Sequence, residues 1–381
     1  MRTDCITYMY KCEWTQDFLR RSAIDYHSEY SPALNTAENV TILPQRDATG
    51  QPWGIGGAFY QDGSMVEASQ IDGVFGGQYP YNSESVTCYP FTVYYIPIIP
   101  RHWGHFLLDV ISRFWFVIDG SDQGYPIAFC GKDFPDKKLY GNYLEALTML
   151  GVDEYRLIYI DKPTSFARVI IPEPAFGDGK PYSDQYLQIV DKLKNNVFSS
   201  KDVKYLQPYR KIYFTRTQFR RARMTEVGEK EIETLFRENG FSVLAPEKLT
   251  FTEQVYYFST AKEIASISGT ISHNIIFCEE GTEVIILNRC SLPNIAQFSV
   301  NQMSKAKVTY VDCYAKETMR SCRYWPVWVE VNDNLTRCLR ERGYRVEEKT
   351  LSSKIKVKIR NYMLYKTLEL KLKVKERIGY A

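Results

Sequence analysis

Between residues 208 and 290 the chain repeats one pattern: a short apolar run, a loop, a helical stretch, then the next run. The runs are Lys211-Ile212-Tyr213-Phe214-Thr215, Phe241-Ser242-Val243-Leu244, Ile264-Ala265-Ser266-Ile267 and Glu283-Val284-Ile285-Ile286-Leu287. Helical stretches fall at 226–239, stopped by Gly240, at 252–260, and after Asn274. Short strands alternating with helices imply a mostly parallel sheet, because a parallel neighbour is reached only by a crossover and a helix supplies one. The pattern predicts a Rossmann-like unit.

The same alternation runs from about residue 85 to 205. Strands are expected at 92–96, closed by Pro97 and Pro100, and at 125–130, 155–160 and 167–172. Helices are expected at 140–150, ending at Gly151, and at 183–198, with Ser183 as cap and Leu187, Val190, Leu193 and Val197 on the apolar side. Residues 1–80 read as short strands and turns, broken by Gly54-Ile55-Gly56-Gly57, Asp62-Gly63, Asp72-Gly73 and Gly76-Gly77. These glycines do not follow a strand and open a helix, so they are not phosphate loops. Beyond 290, Val308-Thr309-Tyr310-Val311 reads as an edge strand, and Asn332 to Leu335 cap a helix that ends at Gly343. From Ser352 the tail alternates Lys with Ile or Val, then Lys with Leu, which is period two and not helical. The expected division is an N-terminal Rossmann-like domain at 1–205 (1–80 poorly defined), a second at 206–320, a helical region at 321–350 and a basic tail at 351–381.

A chain of 381 residues suits two domains and buries a core without staples. Its nine cysteines form no CxxC or zinc pattern, which points to free thiols in a reducing compartment. The first residues lack an apolar signal core, and no apolar run reaches membrane-spanning length. A cytoplasmic protein is the expectation. The net charge of +3 hides an asymmetry: residues 351–381 hold nine Lys/Arg and two Glu, a net of +7, while the first 350 carry −4. A basic tail on a mildly acidic body suits peripheral contact with an anionic surface, such as the inner membrane leaflet.

Two stretches carry chemistry. In Arg101-His102-Trp103-Gly104-His105-Phe106-Leu107-Leu108-Asp109, a helix begins just after a strand. His105 and Asp109 are four apart, so they share a face one turn apart, where open α/β sheets place ligand clefts. His105 is equally readable as a structural residue, and Asp109 as a first-turn carboxylate favoured by the helix dipole. His102, His105 and Asp109 also admit a metal-ligand reading, which the lack of a nearby His or Cys pair at ligand spacing weakens. In the second stretch, the strand at 211–215 runs into Arg216, Arg220, Arg221 and Arg223. Arginine grips phosphate bidentately and stays charged. Ser268-Gly269-Thr270 forms a small-residue turn between a strand and a helix, where backbone N–H groups face an anion. Together they describe a diphosphate site that needs no metal, though surface arginines are commonly just solvated. Nucleic acid is not expected, since no RNP, helix-turn-helix or zinc-finger pattern is present.

The order of several motifs carries a resemblance. Trp103 to Asp109, Tyr213-Phe214-Thr215-Arg216 with Arg223 and Glu226, Glu238 to Val243, Pro246-Glu247-Lys248-Leu249, Glu253-Gln254, and Ser268-Gly269 through Asn274 to Val284 follow one another as in glycosyltransferase family 61. Over about residues 90 to 290 the chain resembles a bacterial member of the capsular-polysaccharide type. The resemblance implies a GT-B fold, two Rossmann-like domains facing a central cleft. The nucleotide-sugar donor would sit mainly on the C-terminal domain and a glycan or lipid-linked saccharide acceptor on the N-terminal one. Transfer would be inverting, without bound metal or further cofactor, in capsule, O-antigen or exopolysaccharide synthesis. Asp109 or His105 would face the acceptor hydroxyl, with His102 beside them. Arg216, Arg220 and Arg223 would neutralise the donor diphosphate, and Gln254, Ser268, Gly269, Thr270 and Asn274 would complete the donor site. One departure stands out. The family's His-Gly-Ala-Gly type turn is here Ser268-Gly269-Thr270-Ile271, with a histidine only at 273. A non-catalytic carbohydrate-binding or scaffold protein, or a GT-B-like pyruvyltransferase, therefore stays open.

Overall fold

The computed structural model describes residues 6–8, 15–177, 181–291, 294–315, 326–348 and 350–377. It is mixed α/β, with two six-stranded sheets. Two compact units are present: the first is Met1–Asp25, Tyr205–Leu249 and Glu253–Ala381, the second Tyr26–Lys204 with Thr250–Thr252.

Strand β1 (Ile6–Tyr8) belongs to the first unit. The second unit holds β2 (Leu34–Ala48), β3 (Gln51–Phe59), β4 (Thr87–Pro100), β5 (Ile127–Lys132), β6 (Leu157–Tyr159) and β7 (Thr164–Pro172), in the sheet order β3-β2-β7-β4-β5-β6. The pairs β7–β4, β4–β5 and β5–β6 are parallel, as the alternation predicted. β2 pairs antiparallel with both β3 and β7. The early segment is thus not a set of short strands, since β2 runs 15 residues. Its glycines misled because Gly54, Gly56 and Gly57 lie inside β3, where the β2–β3 register shifts. Glycine within a strand commonly marks such an irregularity. β4 likewise passes the expected stop at Pro97. Its register against β5 breaks between Ile96 and Ile99, and a proline is tolerated at that break. Val93, Tyr95 and Ile98 of β4 bury against Ala128, Phe166 and Val169. Helices Asn142–Leu150 and Asp184–Ser199 match the expected ones. The Ser183 hydroxyl donates to Ala175 O, however, and does not cap its helix.

The first unit holds β8 (Lys211–Phe214), β9 (Glu226–Val227), β10 (Ser242–Leu244), β11 (Glu263–Ile267), β12 (Glu283–Asn288), β13 (Lys307–Asp312) and β14 (Val327–Trp328). Its main sheet runs β1-β13-β12-β11-β8-β10, with every pair parallel. From β8 to β13 this is the 2-1-3-4-5 strand order of a nucleotide-binding α/β sheet. Ile264, Ala265, Ile267 and Val284 to Leu287 are buried, as continuous apolar strands covered on both faces require. β13 is not the edge strand expected, because Ile6–Tyr8 pairs along Val308–Tyr310. Glu226 does not open a helix either. It sits in β9, paired with β14, and the helix Glu229–Glu238 starts only after Gly228. Gly228 has φ 95°, and a Cβ there would lie 1.8 Å from Val329 O, so the chain must turn at that residue. Helix Asp333–Glu341 is capped as expected, with Asn332 accepting the Leu335 N–H at 3.1 Å.

The period-two reading of the tail is overturned. Leu351–Arg377 is one helix of 27 residues. Tyr365 is buried with Trp328 and Val227, so packing on one face outweighs the local alternation. No described helix is long and apolar enough to cross a membrane. Cys88, Cys130, Cys278, Cys313 and Cys338 are free thiols, but Cys290 is disulfide-bonded. The wholly reduced set expected from cysteine scatter therefore does not hold, since spacing alone does not disclose pairing.

Candidate functional site

In the second unit, β4 ends at Pro100 and the chain turns at once into helix. Trp103–His105 form an α-helical turn, Phe106–Val110 widen into a π turn, and Ile111–Val117 tighten into 3-10 geometry. Such π turns are frequent at functional sites. β4 lies between β5 and β7, so this turn stands at the carboxyl end of a parallel strand where the strand order reverses. His105 Nδ1 and Asp109 Oδ2 are 2.7 Å apart, their side chains 19% and 17% exposed. The His105 ring packs edge-on against Trp53 of β3 at 4.8 Å and lies 4.7 Å from the His102 ring. A carboxylate accepting from Nδ1–H leaves Nε2 as the basic nitrogen of a neutral imidazole.

The run is fastened from several directions. Tyr186 donates to Leu107 O at 2.8 Å, Ser112 to Phe176 O at 2.8 Å, Arg113 to Pro172 O at 2.6 Å and Trp115 Nε1 to Glu173 O at 2.9 Å. Burial pulls the Arg113 guanidinium down to about 10, against the opposing pull of Asp109 and Glu173. These bonds hold a helix of mixed geometry in one position.

In the first unit, three neighbouring strands end together. β8 leads into Thr215 and Arg216, β11 into Ser268 and Gly269, and β12 into Arg289. β8 and β11 are also where this sheet's order reverses. Glu226 of β9 joins the three ends. It accepts from Arg216 Nε at 3.0 Å and Nη2 at 2.7 Å, and from Arg289 Nη1 at 2.6 Å. Two guanidiniums on one carboxylate leave a net positive charge. Burial pushes the Glu226 carboxyl up, but Arg216 and Arg289 more than offset it and hold it below the usual value. The Ser268 hydroxyl accepts the Arg289 N–H at 3.3 Å. Gly269 has φ 154°, and a Cβ there would approach Arg216 Nη1 to 3.2 Å, so glycine lets the guanidinium lie against the turn. Beneath lies Glu229, which accepts the Arg216 N–H at 2.8 Å and the Tyr213 hydroxyl at 3.1 Å. Burial raises its carboxyl to about 7, against the lowering effect of the Arg216 N–H.

Cationic groups beside a glycine turn at parallel strand ends are able to receive an anion, and a histidine held by a carboxylate is able to accept a proton. Residues 103–285 match the family model Glycosyltransferase 61. The match indicates glycosyltransferase activity. No curated protein matches the chain. The glycosyltransferase match begins at the turn that carries His105 and ends inside β12.

Within the matched span the structure brings His105 together with Asp109, and Arg216 together with Gly269. Ser268, Gly269 and Thr270 are half-buried at the strand end, and His102 is half-buried beside His105. Arg220 is exposed at the start of the short helix Arg220–Thr225, and the side chain of Arg223 lies outside the described residues. Gln254 and Asn274 are buried instead and hold each other: Asn274 Nδ2 donates to Gln254 Oε1 at 2.8 Å, and Gln254 Nε2 donates to Pro246 O at 3.1 Å. They pin the helix Thr270–Phe277 that follows the glycine turn. Arg289 was not found from the sequence. Its signal was its place, one residue past a strand, as Arg216 lies two past β8. Among the described residues no group of three or more His, Cys, Asp or Glu is placed to hold a metal ion.

Proposed function

We propose that the chain is an inverting glycosyltransferase that moves a sugar from a nucleotide diphosphate to a hydroxyl of a glycan or lipid-linked saccharide. The observation that carries this reading is the Arg216–Glu226–Arg289 cluster against the Ser268–Gly269 turn, at the strand ends where parallel sheets bind nucleotides. Glu226 engages Nε and Nη2 of Arg216, which leaves the Nη1 edge beside Gly269 for a phosphate oxygen. In a GT-B-like division of labour, the first unit takes the donor and the second the acceptor.

His105 Nε2 takes the acceptor hydroxyl proton while Asp109 steadies the imidazolium that forms. The freed oxygen attacks the anomeric carbon, and the bond from that carbon to the diphosphate oxygen breaks. The electron pair leaves on the diphosphate, where Arg216, Arg289 and the turn's N–H groups stabilise it. A single displacement inverts the anomeric centre. The positive cluster supplies the charge that a metal would otherwise bring, so the reading expects transfer in EDTA. Capsule, O-antigen or exopolysaccharide repeats are the proposed products.

The test is a nucleotide-sugar panel, read by calorimetry for binding and by mass spectrometry for released nucleotide, with and without EDTA. Binding of one donor with release that survives EDTA supports the reading. Release abolished by EDTA overturns its metal-free step. Failure to bind any nucleotide sugar removes the transferase and favours a scaffold or pyruvyl-type protein.

A further inference from the structure

The helix Leu351–Arg377 is apolar on two sides. Its inner side is seated in the first unit: Asn361 and Tyr365 are 3% and 5% exposed, and Tyr365 packs with Trp328 and Val227, with Leu368 at the margin. The Arg360 guanidinium, bonded to Glu231, fastens the same region. On the outside, Ile355, Ile359, Met363, Leu370 and Val374 are 48%, 59%, 62%, 65% and 46% exposed. At 3.6 residues per turn these five fall within an arc of about 100°, on the side of the helix away from Asn361 and Tyr365. They run lengthwise for about 28 Å at the α-helical rise. Apolar residues on opposite faces cancel in any one-sided pattern, which is why the sequence shows no helical stripe here.

The borders of the outer stripe are basic. By the same geometry Lys356 and Lys371 follow one edge and Lys358 and Lys373 the other, while Lys366 falls within the arc, paired with Glu369. Glu369 is the one acidic side chain described on the helix, and it pairs with Lys366 and Lys373. Lys354, Lys356, Lys358 and Lys371 make no ion pair among the described residues. An exposed apolar stripe with lysines along both edges matches the cross-section of a bilayer surface. Alkyl groups sink to the acyl boundary while lysine stems reach up to anionic headgroups. No described helix is long and apolar enough to cross a membrane.

We propose that the outer stripe of this helix docks the protein on a bilayer containing anionic phospholipid, with the helix axis in the membrane plane. The docking stands apart from the transferase reading. Full-length protein is sedimented with vesicles of phosphatidylcholine and phosphatidylglycerol, and with vesicles of phosphatidylcholine alone. The expected result is binding to the mixed vesicles that weakens as salt rises, with little binding to the neutral ones. Ile359→Glu with Met363→Glu should lower the bound fraction about tenfold or more without changing circular dichroism or melting, since both side chains are exposed. Lys356→Glu with Lys371→Glu should weaken binding and flatten its salt dependence. Absence of binding to the mixed vesicles, or equal binding by the Ile359/Met363 variant, overturns the proposal. So does lipid-free self-association that this variant abolishes, which would make the stripe a contact between two copies of the chain.

Discussion

His105 and Asp109 come from one helical run of the second unit, four residues apart, whereas Arg216, Glu226, Gly269 and Arg289 come from four separate segments of the first. Both groups stand at the carboxyl end of a strand where the sheet order reverses. The first is local: its geometry follows from helical spacing, and the surroundings only hold it still. The second exists only because β8, β11 and β12 lie side by side and β9 folds a carboxylate between two arginines. A local site can lose chemistry and keep its fold. An assembled site is also a staple, so damage to it should appear in stability as well as in binding.

Asp109→Asn should give the largest effect. Turnover should fall on the order of a thousandfold, with donor affinity and melting temperature nearly unchanged. Steady-state kinetics and a melt check this, and a large loss of stability would break the comparison by making the pair structural.

Glu226→Ala is the converse. It leaves two largely buried guanidiniums facing each other, which should cost about 3–5 kcal/mol. Calorimetric melting should drop, and an added nucleotide sugar should restore part of the loss by placing anions between the arginines. Melting that does not move would mean that Glu226 is not the staple.

Glu229 sharpens the contrast through pH. Its folded value of about 7 lies above the ordinary 4.5, so the proton binds more tightly in the folded state. That stabilisation is complete below about pH 4.5 and is lost as pH rises through 7. Relative to the parent, Glu229→Gln should therefore gain about 3 kcal/mol across this range. Urea midpoints of both proteins at about pH 5 and about pH 8 measure the difference, and a constant gap would remove the titration from Glu229.

Gly269→Ala should be the mildest. The added methyl meets Arg216 Nη1 at 3.2 Å on a backbone of positive φ, so stability should fall by about 1 kcal/mol and donor affinity about tenfold. Titration calorimetry reads the affinity, and unchanged binding would place the donor phosphates elsewhere.

Sequence patterns disclosed what depends on near neighbours. The parallel alternation at 208–290 was legible because buried parallel strands are short continuous apolar runs. The Asn332 cap and the His105–Asp109 spacing were legible because three or four residues make one helical turn. The start of the helix after Glu226 was not, because β14 draws Glu226 and Val227 into a strand from a hundred residues away. Nor were the 15 residues of β2, since glycines that usually end a strand instead sit in the irregular β2–β3 pairing.

By itself, then, the sequence determined the alternating α/β class, most helix ends and the one pair of chemical groups that share a turn. These rest on backbone periodicity, which acts over a few residues. Tertiary structure alone decided that Arg289 would meet Arg216 across Glu226, that Gln254 and Asn274 would turn inward to each other, and that β1 would close the edge of β13. It also decided that a period-two tail would become a helix with one face packed and one exposed. The physical reason is common to all four. Strand order and burial bring together residues whose separation along the chain carries no trace of that meeting.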